Sequence, residues 1–325
     1  MTVFIRRRLF QLIPLLIGIT LLSFFVMHLA PGDPTSLFVD PHIKPEDLER
    51  IKANWGLDQP VVLQYFYWLK NVLVGDFGRS YLTGRPVLHE IGERIPATLL
   101  LMGTSMFLAL VIAIPVGVIS AVKKNSRFDK IFTFISFLGI SIPSFWLALV
   151  LILVFSLTLG WFPAVGMTNP LLKDAPFLSR AGDVMWHLVL PVSALTFLSI
   201  AGLTRYQRAA VLEVLREDYI RTARAKGLPE RVVLFKHALR NALLPLITIL
   251  GLSLPELLSG AFIIETVFGW PGLGRLGVIS VFQRNYPLIM GIVVLSSVLI
   301  VIGNLFADMG YALADPRIRY EKSSS

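Results

Sequence analysis

Six stretches of this sequence are apolar for long enough to cross a lipid bilayer, and that limits the fold more than any other feature of it. A helix rising about 1.5 Å per residue needs roughly 20 apolar residues to span the hydrocarbon core. In lipid a helix also satisfies its backbone polar groups internally. The stretches run from Leu9 to Leu29, Ala97 to Ile119, Ile131 to Leu159, His187 to Leu203, Ala242 to Ile264 and Leu288 to Ala307. The third is long enough to tilt, and the fourth is diluted by Ser193, Thr196 and Ser199. Composition agrees: 55% of the residues are hydrophobic and only 16% are charged. The expected architecture is therefore an all-α, six-span integral membrane protein.

The charges orient it. Net charge is +9, which in a soluble chain would point to nucleic acid. In a membrane protein Lys and Arg accumulate on the cytoplasmic side. Arg6 to Arg8 precede the first span, and Lys123, Lys124, Arg127 and Lys130 face only Asp129 in the second-to-third connection. The fourth-to-fifth connection, Arg205 to Arg240, holds nine basic residues against four acidic ones. By contrast, 30–94 carries seven basic and nine acidic residues, and the remaining loops are nearly balanced. Every clear basic excess thus falls on one side. Both termini are expected in the cytoplasm, and the nucleic-acid reading loses its motive.

Other chemistries lack their residues. There is no cysteine, so disulfides and thiolate metal sites are excluded. The five histidines form no ligand-spaced pair, no metal site is expected, and no Gly-rich loop ends in Lys-Ser or Lys-Thr. No Ser/His/Asp grouping or His-Glu-x-x-His motif points to an intramembrane enzyme. An ion-coupled carrier would need ionisable groups along its pathway. Glu256, beside Pro255 in the fifth span, is the clear candidate; Asp308 lies near a span end.

Prolines at 115, 143, 191, 245 and 255 are expected to break or kink the spans, as ordinary bundle packing or as parts of a moving pathway. Pro255, Glu256, Pro143 and Ser144 are the candidate pathway residues. The long outer loop opens with Ala30-Pro31-Gly32-Asp33-Pro34. Helices are expected from Pro45 to Trp55 and from Val61 to Val74. The aromatic run Tyr65 to Trp68 on the second would lie at the membrane interface or cover a partner.

The connection from Arg205 to Arg240 is too polar for lipid and too patterned for a slack loop. Leu212, Leu215, Tyr219 and Ala223 recur at helical spacing. Gly227-Leu228-Pro229 then suits a helix end followed at once by a helix start, which runs from Glu230 to Asn241. Gly227 is expected at positive φ. Ala223, Ala225 and Gly227 would leave a low surface where a protein could dock. Basic helices also hold anionic headgroups, with Arg221 and Arg224 as the available charges.

Two runs carry a family resemblance: Glu217-Asp218-Tyr219-Ile220-Arg221-Thr222-Ala223-Arg224-Ala225-Lys226-Gly227 and His237-Ala238-Leu239-Arg240-Asn241-Ala242-Leu243-Leu244-Pro245. They resemble the cytoplasmic coupling loop of ABC importer permeases of the peptide, nickel and glutathione group. Arg7-Arg8-Leu9, Pro31-Gly32-Asp33-Pro34, Gly56-Leu57-Asp58-Gln59-Pro60, Gly75-Asp76-Phe77-Gly78, Trp270-Pro271-Gly272-Leu273-Gly274 and Asp315-Pro316-Arg317-Ile318-Arg319-Tyr320 look like that group's first permease subunit. The general motif opens Glu-Ala-Ala where this chain has Arg221-Thr222-Ala223.

The resemblance implies the type I importer permease fold: a first span (1–29), an outer loop (30–94), a five-span core (95–310) with the coupling loop at 205–240, and a cytoplasmic tail (311–325). It implies an ATPase-docking surface made of Asp218, Tyr219, Thr222, Ala223, Ala225, Lys226, Gly227, Leu228, His237, Arg240 and Asn241. The implied partners are a homologous second permease, two cytoplasmic ATPases and an extracytoplasmic substrate-binding protein, in a bacterial or archaeal cytoplasmic membrane. ATP and magnesium would sit on the ATPases, with no cofactor or catalytic residue here. The implied cargo is a di- or oligopeptide, with nickel, glutathione or an oligosaccharide as alternatives.

Overall fold

The computed structural model describes residues 2–29, 34–35 and 45–314; the side chains of 2–12, 254–259 and 305–314 are among those outside it. The predicted turn from Ala30 and the motif Asp315 to Tyr320 therefore lie wholly or mostly outside the described residues. Within them the chain is helical, with one isolated bridge between Arg79 and Pro86.

The centre of the molecule is a pair of long helices, α4 (Val87–Val122) and α7 (Phe177–Val214). Helix α1 covers Thr2–Leu29, and the outer loop contributes α2 (Pro45–Asn54) and α3 (Val61–Leu73). After α4 come α5 (Arg127–Ser141) and α6 (Ser144–Leu151), the latter continuing as a π-helical stretch, Ile152–Thr158. Among the described residues, four helical segments are long and apolar enough to cross a membrane: α4, α7, Glu230–Gly251 and Tyr286–Asn304. The pair α5 and α6 makes a fifth if counted as one broken span. The described part of the first span, Ile13–Leu29, is apolar but shorter.

Helices α4 and α7 run in the same direction and meet along most of their length. On α4 the seam is Ala97, Leu101, Ser105, Ala109, Ala113, Gly117 and Ala121, one residue per turn and all buried. Small residues at this spacing let two backbones approach closely, which supplies packing where lipid offers no hydrophobic drive. Leu101 packs with Leu188 and Val192. The Thr196 hydroxyl donates to the Ser105 carbonyl at 3.3 Å. Further in, Ala109 and Ala113 meet Leu203, and Ala121 meets Val211. A Cβ on Gly117 would sit 2.8 Å from the Gln207 Cβ and 3.1 Å from the Arg208 backbone nitrogen. Gly117→Ala must therefore push the helices apart. We expect it to cost about 1–3 kcal/mol, as overpacking does, read as a lower unfolding midpoint of the purified protein.

The third predicted span is not one tilted helix. It bends by 104° between Ser141 and Ser144. Ile142, the residue before Pro143, is extended at φ −80° and ψ 124°, and Pro143 itself occupies the cap of α6. The proline ring disfavours helical backbone at the residue before it, and here that residue leaves the helix. Pro115 and Pro191 do not break their helices, lying inside α4 and α7, and Pro255 lies inside α11 (Leu244–Ser259), whereas Pro245 stands in the first turn of α11, just after the break at Leu243. The fifth predicted span instead stops at Gly260, at φ 83°, before a short helix α12 (Phe262–Val267). Helix α13 (Leu273–Phe282) and the final helix α14 (Tyr286–Ala314) follow.

The inner connection between α4 and α5 is anchored. Ser126 caps α5 by accepting from the Asp129 N–H at 3.2 Å. The buried Asp129 carboxylate takes two bonds from Arg208 of α7, at 2.6 and 2.9 Å. This bidentate geometry ties the α5 start to the inner half of α7.

Candidate functional site

Helix α7 runs nine residues past Arg205, to Val214, so the polar connection begins later than its hydropathy indicates. Leu212 lies in the last turn of α7, and Leu215 is its C-cap. The predicted stripe Leu212, Leu215, Tyr219, Ala223 is therefore split by a break at Leu215–Glu217. The next helix, α8 (Asp218–Ala225), has Asp218 in its first turn and Arg224 in its last, each complementing the helix dipole. Its buried residues are Ile220 and Ala223, packed with Val233 and Ala238 and flanked by Val214 and Leu215.

The bend after α8 is a closed hydrogen-bonded motif. The Leu228 N–H donates to the Ala223 carbonyl at 3.4 Å and the Gly227 N–H to Arg224 at 2.9 Å. Gly227 stands at φ 74°. These two bonds and the left-handed residue constitute a Schellman cap, the arrangement in which glycine is favoured. Pro229 then caps α9 (Glu230–Val232) rather than occupying its first turn. A π-helical stretch (Val233–Ala238) and α10 (Leu239–Ala242) complete the predicted second helix. Two contacts pin the halves together. Arg224 donates to both Glu230 oxygens, at 3.2 and 2.6 Å, and the Asn241 amide donates to the Tyr219 hydroxyl at 2.8 Å. The ion pair is half-exposed and worth at most about 1 kcal/mol. The buried cluster and the cap supply most of the rigidity.

Of the residues named for this surface, Ala223 points inward and is only 6% exposed. It supports the bend from beneath instead of lining it, because the α8 register set by Ile220 turns it into the cluster. Asp218, Tyr219, Thr222, Ala225, Lys226, Gly227, Leu228, Arg240 and Asn241 are exposed, and His237 is half-buried. A Cβ at Gly227 would meet nothing within 4 Å, so the space immediately above the bend is open. Phe235 of the second helix is also 65% exposed and was not anticipated from the sequence. Nor is Arg224 a free charge for lipid, since Glu230 holds it.

A second assembly lies at the other end of the α4–α7 seam, where the sequence showed only a loop acid. Glu265 of α12 is fully buried. Its carboxylate accepts from the Thr98 hydroxyl of α4 at 3.0 Å and from the Arg275 N–H at 2.9 Å, and takes a further bond from the Gly274 N–H. The Thr98 hydroxyl in turn accepts from the Leu273 N–H at 2.8 Å. The orphan donors at the start of α13 are thus met by one acid and one threonine, and the acid complements the helix dipole. A Cβ on Gly272 would lie 2.4 Å from that carboxylate, and one on Gly260 2.7 Å from it. Beside it, the buried Trp270 indole donates to the Ala97 carbonyl at 2.8 Å. The segment from α12 to α13 is thereby latched onto α4.

Of the candidate pathway residues, Pro143 is exposed at the α5–α6 break and Ser144 is half-buried. The side chains of Pro255 and Glu256 lie outside the described residues.

Comparison with known proteins assigns the whole arrangement to a family. Residues 113–320 match the family model described as binding-protein-dependent transport system inner membrane component. Residues 1–102 match its N-terminal companion. The chain belongs to this family. Among the permease's curated relatives is the oligopeptide transport system permease protein AppB of Bacillus subtilis (strain 168). It is 51% identical over 321 residues, covering 98% of this chain and 100% of that protein. The dipeptide transport system permease protein DppB of Alkalihalophilus pseudofirmus is 40% identical over 337 residues, covering 98% and 100%. The glutathione transport system permease protein GsiC of Escherichia coli O1:K1 / APEC is 41% identical over 318 residues, covering 98% and 99%. The family boundary before residue 113 falls inside α4, so the N-terminal portion and the core share that helix.

Proposed function

We propose that this permease is the membrane subunit of an ATP-binding-cassette importer for oligopeptides. With a homologous second permease it would enclose a pathway from an extracytoplasmic binding protein to the cytoplasm of a bacterium or archaeon. Two ATPases would dock at the Gly227 bend and drive it. The observation that carries this reading is end-to-end similarity, at 51% identity, to an oligopeptide permease. The open, rigid bend supports the docking role. ATP would be bound and hydrolysed on the partners, and this chain would transmit their movement.

The test is reconstitution with the partner subunits and binding protein in proteoliposomes. Accumulation of labelled oligopeptide that requires ATP and is not displaced by glutathione is the expected result. Displacement by glutathione would reassign the cargo, and uptake driven by an ion gradient without ATP would reassign the class.

The proposal includes six spans with both termini inside. Because the chain contains no cysteine, single thiols are clean reporters. Lys124→Cys and Leu171→Cys are suitable sites, being exposed and free of the capping roles that Ser126 and Asn169 perform. An impermeant maleimide added outside intact cells should label position 171 and not 124. Labelling of position 124 would reverse the orientation.

A further inference from the structure

We infer that α3 is an interfacial helix whose outward face is covered by outer-leaflet lipid. Its inward side is Val61, Gln64, Tyr65, Trp68 and Leu69, with Tyr65 only 3% exposed. The outward side is apolar apart from Lys70 and Asn71. Val62, Leu63, Phe66, Tyr67 and Leu73 are between 44% and 78% exposed, with Lys70 among them. The preceding helix shows the opposite pattern. Helix α2 turns Glu46, Glu49, Arg50 and Asn54 outward, as expected of a helix in water. Two neighbouring helices of one loop thus present surfaces suited to different solvents.

What covers α3 follows from where it sits. The Tyr65 hydroxyl is 3.1 Å from that of Thr20, and the Tyr65 ring packs edge-on against Phe24 at 5.4 Å. His28 and Gln64 meet at 3.1 Å. Helix α3 therefore lies beside the last turns of α1, within about 13 Å of its end at the helical rise. At that level α1 itself exposes Leu22, Val26 and Leu29. The exposed apolar side chains of the span and those of α3 thus lie at the same level. A span's exterior faces acyl chains, so the same medium covers both. Lys70 can extend its stem along that surface and keep its ammonium among the headgroups. A helix of this kind adds a lateral contact at the outer boundary of the bilayer.

This inference rests on the proposed membrane span of α1, and the experiment separates the two. Phe66→Cys, Leu22→Cys and Glu49→Cys would each be labelled with a fluorescent bimane in the full complex, with partner subunits lacking accessible thiols. The complexes would be reconstituted in liposomes with and without lipid carrying a nitroxide quencher. We expect loss of most of the fluorescence at positions 22 and 66 with the lipid-borne quencher. Position 49 should lose its signal only to aqueous iodide, and saturating binding protein should leave position 66 unchanged. Quenching at 22 but not at 66 would overturn the inference while leaving the span intact. Iodide quenching at 66 that the binding protein relieves would make the face a protein-docking surface. Shielding at 66 from both quenchers in the assembled complex would assign it to the second permease. Failure at position 22 would instead reject the span.

Discussion

Replacing Gly227 by aspartate is expected to leave the protein inserted and folded but unable to retain its ATPase or take up substrate. A Cβ there meets no neighbour within 4 Å, so the main internal cost is the left-handed backbone, about 1–2 kcal/mol. That is small beside the packing of Ile220, Ala223, Val233 and Ala238 beneath the bend. The cost to the partner is larger. A charged side chain would occupy the open space above the cap. A loss of about 2 kcal/mol at an interface centre weakens association roughly thirtyfold. The measurement is co-purification of the ATPase together with uptake. A control should neutralise exposed charges that do not hold the bend, such as Arg221 and Arg231, since Arg224 is engaged by Glu230. If that pair proves the more damaging and Gly227→Asp keeps its ATPase, the surface is a lipid anchor and docking occurs elsewhere.

Glu265→Ala is expected to be among the most damaging single changes outside the coupling bend. It removes the acceptor for the Arg275 and Gly274 N–H groups and for the Thr98 hydroxyl, all within a buried site. Each buried donor left without a partner costs about 1–3 kcal/mol. We therefore expect a loss of about 3 kcal/mol or more, read as a lower unfolding midpoint, with α12 and α13 released from α4 and uptake abolished. Glu265→Gln keeps the shape and one acceptor but turns an amide N–H₂ towards backbone donors, so its effect should be intermediate. Parent-like stability in both variants would remove the latch from the account.

Much of this was legible in the sequence because lipid imposes a simple rule on helices. Apolar length located the four or five candidate spans found among the described residues but not the helix ends. Hydropathy reports which residues face lipid, whereas α7 continues as a helix through Arg205, Arg208 and Glu213 after leaving it. Gly227 was readable because a left-handed cap is a local requirement. The direction of Ala223 was not, since it depends on what packs beneath α8. Likewise Pro143 breaks its span while Pro115, Pro191 and Pro255 do not. The first lies where the helix already turns, and the others lie in helices that continue through them. Glu265 falls just past the end of the predicted fifth span, and its burial is made by residues distant in sequence, notably Thr98. The available signal was local: one acid followed closely by Gly272 and Gly274, with Gly260 before it. Such a pattern marks backbone brought close to a carboxylate.

The α4–α7 seam has a mechanical consequence. The Gly227 bend, the proposed docking site, is attached at the end where Ala121, Val211 and Ala242 pack together, and the Glu265 latch at the opposite end, beside Ala97. These points are separated by about 36 Å of unbroken helix at the helical rise. Two helices locked at every turn behave as a single strut, stiff to compression and to twist. A thrust at the bend would therefore emerge at the far end as a tilt. A tilt of about 5° over that length displaces the latched segment by about 3 Å. An ATPase stroke of modest angle would thus reach the outer mouth directly, with no relay of local rearrangements in between.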